Sequence, residues 1–122
     1  MNSHIRAIVA LAALLLPASL QASPADCFSA AKLNNLFSEH SYEMTMHLCQ
    51  GSGSAGTVQC FQDAKTLFRV APERKALALC AGSPDSSPVT CYRDAYNQVA
   101  GGTPGAQSRH AMRLCSYKEG AR

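Results

Sequence analysis

The spacing of the cysteines is the feature that most limits how this chain can fold. The 122 residues contain six cysteines, and the distances from one to the next are 22, 11, 20, 11 and 24 residues. Two equal short gaps separate three longer segments, which is typical of tandem repeats. We name the bracketed segments unit 1 (27–49), unit 2 (60–80) and unit 3 (91–115).

The three units agree at further positions. An aromatic residue follows each opening cysteine, and an alanine lies three residues after that aromatic residue. A leucine precedes each closing cysteine. The two linkers have the same length, and each places a glycine two residues after a closing cysteine, at Gly51 and Gly82. Glycine at that position suits a left-handed helix C-cap, so we expect Cys49 and Cys80 to lie in the last turns of helices.

Each unit predicts a helical hairpin. One helix begins just before the opening cysteine, a turn follows, and a second helix runs about two turns to the closing cysteine. Ser23-Pro24 and Ser87-Pro88 precede units 1 and 3, and serine followed by proline suits a helix cap and first helical position. No segment shows the alternation of β-branched apolar and polar residues that is expected of a strand. The expected fold class is all-α, with three tandem disulfide-linked hairpins in a short α-solenoid or a compact six-helix array.

The hairpins also predict how the cysteines pair. In an antiparallel hairpin the start of the first helix lies beside the end of the second helix, so each opening cysteine neighbours its own closing cysteine. The main alternative joins neighbouring units across the linkers and leaves the first and last cysteines to pair from opposite ends. Metal binding is disfavoured because no C-x-x-C occurs. We therefore expect three disulfides: Cys27–Cys49, Cys60–Cys80 and Cys91–Cys115.

Residues 1–22 have the three-part layout of a secretory signal peptide. An arginine precedes an apolar run over 7–16, and small and polar residues lead to Ala22. The run is too short to span a bilayer, which takes about 20 residues. We expect residues 23–122 to form one domain, and an even number of cysteines in a short exported chain is typical of a disulfide framework. The expected location is the bacterial periplasm or the exterior of the cell.

Charge and motifs disfavour several classes of function. The 100 residues after Ala22 carry ten Lys and Arg against eight Asp and Glu, so charge does not indicate a nucleic-acid partner. The G-x-G-x-x-G string at 51–56 follows a predicted helix rather than a strand, which favours a linker over a nucleotide site. Because no nucleophile or metalloprotease motif occurs, we expect no enzyme activity. The hairpin plan resembles that of secreted TPR-like proteins in architecture alone, since their tryptophan, glycine and tyrosine signature is missing.

A histidine and methionine cluster lies in unit 1. His40, Met44 and His47 fall at i, i+4 and i+7, so a helix that starts early enough places them on one face. Imidazole and thioether together suit copper(I). A copper site at these residues, with Met46 and His110 as further candidate ligands, is one hypothesis. Solvated histidines on a short helix are the simpler interpretation.

The second helices of units 2 and 3 predict a basic stripe. Helical spacing places five side chains on their outward faces: Arg74, Lys75, Arg109, His110 and Arg113. Such a stripe suits an acidic partner, although a solvated helix face is the simpler interpretation. The leading hypothesis is a non-enzymatic interaction or structural module that binds another envelope or extracellular protein without a cofactor. The alternative is a periplasmic copper-binding protein.

Overall fold

The computed structural model shows an all-helical protein. It describes residues 23–37, 42–98 and 102–117, which contain six helices and no strand. This is the fold class that the sequence predicts, while the expected signal peptide lies outside the described residues. The helices are α1 (Pro24–Leu33), α2 (Tyr42–Cys49), α3 (Ala55–Lys65), α4 (Pro72–Cys80), α5 (Ser87–Gln98) and α6 (Pro104–Cys115).

One disulfide joins the two helices of each unit. The Cα atoms of the paired cysteines are 5.5 to 5.8 Å apart, the usual separation for this bond. Each bridge closes a loop of 20 to 24 residues, which stabilises helices that are marginal when isolated. The observed pairs are those that the hairpin geometry predicts, and pairing across the linkers does not occur: Cys27–Cys49, Cys60–Cys80 and Cys91–Cys115.

Side-chain caps set where the first helices of units 1 and 3 begin. The Ser23 hydroxyl accepts a hydrogen bond from the Asp26 backbone N–H at 3.3 Å, and Pro24 is the first helical residue, as predicted. In unit 3 the helix includes Ser87, which the sequence places outside it as the cap. The Asp85 carboxylate instead accepts the Ser87 backbone N–H, the first of the helix, at 2.9 Å. Hydrogen bonds from the Ser87 side chain and backbone lower the pKa of the Asp85 carboxyl.

Glycines end the second helices of units 1 and 2 as predicted. The helices stop at Cys49 and Cys80, and Gly51 and Gly82 have φ angles of 67° and 76°. Glycine adopts this left-handed conformation without the strain that a Cβ imposes. The Gly82 N–H then donates to the carbonyl of Leu48 at 2.8 Å, so the second linker is bound to the end of unit 1.

The two linkers also contact each other. The Ser54 hydroxyl donates to the Pro84 carbonyl at 3.0 Å, and the fully buried Thr57 hydroxyl donates to the Ser83 carbonyl. Ser54 and Thr57 form the capping box of α3, so the same two side chains start this helix and anchor the next linker. Gly56 lies between them, and a Cβ there would come within 2.1 Å of the Pro84 carbonyl oxygen.

Unit 2 lies between units 1 and 3. The helix α3 packs against α1 on one side and α5 on the other, while α4 packs against α2 and α6. Aromatic rings meet at both boundaries, with centroids 4.8 Å apart for Phe37 and Phe61 and 5.1 Å apart for Phe68 and Tyr92. The three hairpins therefore stack in chain order.

The core is deepest in the middle unit. Its disulfide, the aromatic residue after its opening cysteine, and the small residues Ala64 and Ala76 are fully buried, because a neighbouring hairpin covers each side. Ala64 and Ala76 allow the backbones of α3 and α4 to approach closely. The side chains of unit 2 with no exposed surface are Cys60, Phe61, Ala64, Ala76, Leu79 and Cys80.

We expect the central disulfide, Cys60–Cys80, to contribute more to stability than the third, Cys91–Cys115. The pairs Cys60–Cys80 and Cys91–Cys115 close loops of similar length, 20 and 24 residues, so replacing either pair with alanine should cost about 3 kcal/mol of chain entropy. Of these two pairs only the central one is fully buried, since Cys91 is exposed. Its removal should cost about 1 to 2 kcal/mol more because of the cavity left behind. Urea unfolding followed by circular dichroism measures the difference, and equal losses would contradict it.

Two glycines offer a matched test of the contact between linkers. Gly56 and Gly105 are the second residues of α3 and α6. At Gly105 an added Cβ comes no closer than 3.7 Å to the Arg109 guanidinium, so Gly105→Ala should stabilise the protein by up to about 1 kcal/mol. Gly56→Ala should destabilise it, because the Pro84 backbone occupies the space that the methyl group needs. Thermal unfolding of the two variants checks this, and a Gly56→Ala variant as stable as the wild type would argue against the linker contact.

Candidate functional site

A cleft opens between units 2 and 3, where the turn before α4 meets α5 and α6. Its floor is aromatic, since the rings of Phe68 and Tyr92 meet edge to face and Tyr96 stacks on Tyr92 with centroids 6.0 Å apart. The Tyr92 and Ser108 hydroxyls share a hydrogen bond of 2.9 Å, which joins α5 to α6 across the cleft. The cleft has a volume of about 560 Å³ and is open to solvent.

Basic side chains line this cleft and a groove beside it. A second groove, between α4 and α6, shares Lys75 and Ser108 with the cleft, so the two depressions are continuous. We name their union the basic cleft. Among the described residues that line it, none is acidic. Its Lys and Arg side chains are Arg69, Lys75, Arg93, Arg109 and Arg113.

The positive charge of the basic cleft is not neutralised by internal ion pairs. Within the described residues the single salt bridge joins Lys65 to Glu73 at 4.0 Å, and neither residue lines the cleft. The Lys75 ammonium lies over the Phe68 ring, 5.5 Å from its centroid, and this cation–π contact holds it at the floor. The cleft therefore presents a concentrated positive potential above an apolar surface.

The turn that precedes α4 shapes one wall of the basic cleft. Ala71 has a φ of 48°, in the left-handed region that disfavours residues with a Cβ, and Pro72 then begins the helix. The Lys75 N–H donates to the Ala71 carbonyl at 3.1 Å, which fixes the turn against the first turn of α4. Arg69 and Val70 are thereby exposed at the mouth of the cleft, Val70 by 72%.

The structure gathers most of the predicted basic stripe into this site. Four of its five side chains line the groove between α4 and α6, and the fifth, Arg74, is exposed outside it. Helical spacing did not identify Arg69 or Arg93, because Arg69 lies in a turn and Arg93 lies on a first helix. The sequence marks both as basic but carries no signal that they converge with α6. The predicted residues in the groove are Lys75, Arg109, His110 and Arg113.

The histidine and methionine cluster is only partly described. Met44 is half-buried and packs against the core, whereas His47 is exposed. His40 lies outside the described residues. Met46 is exposed in unit 1, and His110 lies in unit 3. No group of three His, Cys, Asp or Glu that could hold a metal occurs in the described part of the chain. Copper binding stays a prediction, which calorimetric titration of the oxidised protein with Cu(I) tests.

Comparisons with known proteins give no indication of function. No family model, no curated protein and no solved structure matches the chain. Of the six described helices, none has the length and apolarity needed to cross a membrane. The geometry and charge of the basic cleft are therefore the basis for a functional conclusion.

The hydrogen bond across the cleft floor makes a testable contribution to stability. Tyr92→Phe removes the hydroxyl that pairs with Ser108, and we expect a loss of about 1 kcal/mol in the free energy of unfolding. Tyr96→Phe is the matched control, since among the described residues the Tyr96 hydroxyl has no hydrogen-bond partner, and it should change stability little. Urea unfolding of both variants measures this. Equal stability of the two variants would show that the hydrogen bond does not join α5 to α6.

Proposed function

We propose that this protein is a non-enzymatic binding module that holds an acidic segment of a partner protein in the basic cleft. The observation that supports this proposal is the presence of five basic side chains along two continuous depressions, one of which has an aromatic floor, with no acidic residue among the described lining. We place this activity in the bacterial envelope or outside the cell.

The lining favours carboxylates over other ligands. Four of its five basic side chains are arginines, whose planar guanidinium groups bind carboxylates through paired hydrogen bonds. Tyr92 and Tyr96 add apolar surface beneath those charges. An extended segment that alternates acidic and apolar side chains would satisfy both parts of the site.

A peptide segment fits the basic cleft better than a bilayer or a nucleic acid does. The aromatic floor is recessed between two hairpins, so a flat lipid surface would contact the rim and leave the floor uncovered. The net charge of the whole chain is only +3 at pH 7, which gives weak long-range attraction to a polyanion. Local complementarity within the cleft is therefore the main source of specificity.

The disulfides are compatible with a role outside the cytoplasm. The chain has three of them, and no described cysteine is free. Such bonds persist in oxidising compartments and stabilise small domains there. The signal-like layout of residues 1–22 supports the same location.

Fluorescence anisotropy with a defined peptide tests the proposal. The probe is a labelled peptide that alternates glutamate with leucine, and its control carries glutamine in place of every glutamate. The protein should bind the glutamate peptide more tightly. The affinity should fall as salt is raised, because the screening length shortens from about 10 Å at 0.1 M to about 3 Å at 1 M.

Two charge reversals separate the basic cleft from basic residues elsewhere. Arg109→Glu should weaken binding of the glutamate peptide about tenfold, which corresponds to about 1.4 kcal/mol. Lys32→Glu makes the same change in net charge at an exposed position on α1, in unit 1, which contributes no residue to the lining of the cleft, and should bind as the wild type does. Equal weakening by both variants, or equal binding of the glutamine peptide, would overturn the proposed function.

A further inference from the structure

Each hairpin turns one face toward the preceding unit and the opposite face toward the following unit. We name these the front face and the back face. Phe61 of unit 2 contacts Phe37 of unit 1, and Tyr92 of unit 3 contacts Phe68 of unit 2. The position after the opening cysteine therefore belongs to the front face at both boundaries.

Other front-face positions are recognised by their burial. The residue two before the opening cysteine is 3% exposed at Val58 and 2% exposed at Val89, but its equivalent Ala25 in unit 1 is exposed. The third residue before the closing cysteine is 9% exposed at Leu77 and 63% exposed at Met46. These positions are buried in unit 2, which has a described unit in front of it, and open in unit 1.

The back face shows the reverse pattern. The leucine before the closing cysteine is fully buried at Leu48 and Leu79, whereas Leu114 is 65% exposed. The opening cysteine is also fully buried in units 1 and 2 and exposed at Cys91. The back face is therefore covered where a described unit follows and open in unit 3.

Both open faces form apolar depressions. None of the described residues that line them is charged, although the terminal repeats of soluble arrays normally present a polar outer face. The open front face of unit 1 includes Pro24, Ala25, Phe28 and Met46. The open back face of unit 3 includes Cys91, Leu114 and Tyr117.

We propose that a second copy of this chain docks the front face of its unit 1 onto the back face of unit 3, and so continues the array head to tail. The argument is continuity with the two boundaries inside the chain, which already join a back face to a front face. In the new contact Leu114 takes the place of Leu48 and Leu79, and the incoming Phe28 takes the place of Phe61 and Tyr92. Because the two faces differ, the contact can repeat and form a chain of copies rather than a closed dimer. This self-association does not depend on the basic cleft.

Sedimentation velocity tests the self-association. The full 122-residue chain is expressed, purified with its disulfides intact, and weighed by mass spectrometry to show which residues remain. The weight-average mass should rise with protein concentration. At a concentration of about 1 mM it should exceed the mass of a dimer. A single monomeric species throughout would overturn the proposal. A monomer that retains residues 1–22 would also overturn the proposal, and would indicate that this segment occupies the front face instead of a second copy.

Two variants block one face each. Met46→Lys modifies the open front face and Leu114→Lys modifies the open back face, and both positions lie in the last turn of a helix, where lysine is tolerated. Each variant alone should be monomeric. An equimolar mixture should form a one-to-one dimer and nothing larger, because the back face of the Met46→Lys chain can still accept the front face of the Leu114→Lys chain.

Leu33→Lys provides the matched control. Leu33 is 84% exposed at the end of α1, and its equivalents Thr66 and Asn97 are exposed as well, so this position belongs to neither face. This variant should associate as the wild type does. Loss of association in it would show non-specific apolar contact and overturn the proposal. Dimers of Met46→Lys alone or Leu114→Lys alone would also overturn it, because they require back-to-back or front-to-front contact.

Discussion

The disulfide that ties the start of one helix to the end of the next is the constraint on which this structure depends. The helices are only 8 to 12 residues long, and isolated helices of that length are marginal in water. The bridge removes much of the chain entropy that opposes pairing the two helices. A hairpin closed in this way still cannot bury both of its faces, so its stability depends on the neighbouring hairpin as well.

Stacking explains where the functional surfaces arise. Inside the array the front and back faces cover each other, and hydrogen bonds join the second linker to the first linker and to the end of unit 1. The boundary between units 2 and 3 is not sealed along its whole length, and the basic cleft lies in the part that stays open. The exposed Leu114 and Met46 mark the places where the stacking stops. One repeated packing rule thus leaves two kinds of surface, a charged cleft and two apolar ends.

Residues close together in the sequence predicted much of the fold, but they predicted only part of the lining of the basic cleft. Gly51 and Gly82 end helices where the spacing predicts, and the hairpin argument predicts all three disulfides. A single-helix projection was less successful, because it placed Met44 and His47 on one face, although Met44 packs against the core and His47 is exposed. It also overlooked Arg69 and Arg93, and Arg69 of unit 2 lines the same cleft as Arg93 of unit 3 only because those two hairpins stack.

The amino-acid sequence by itself determined the number of hairpins, the partners of the cysteines, the cap of α1 and the glycines that end α2 and α4. These features depend on residues close along the chain, whose conformational preferences do not need a neighbour in space. Only the tertiary structure decided which equivalent positions are buried and which are exposed. Leu48, Leu79 and Leu114 occupy the same place in the repeat, yet two are buried and one is open. The physical reason is that burial depends on whether another hairpin packs against that face, and identical residues in a repeat do not carry that information.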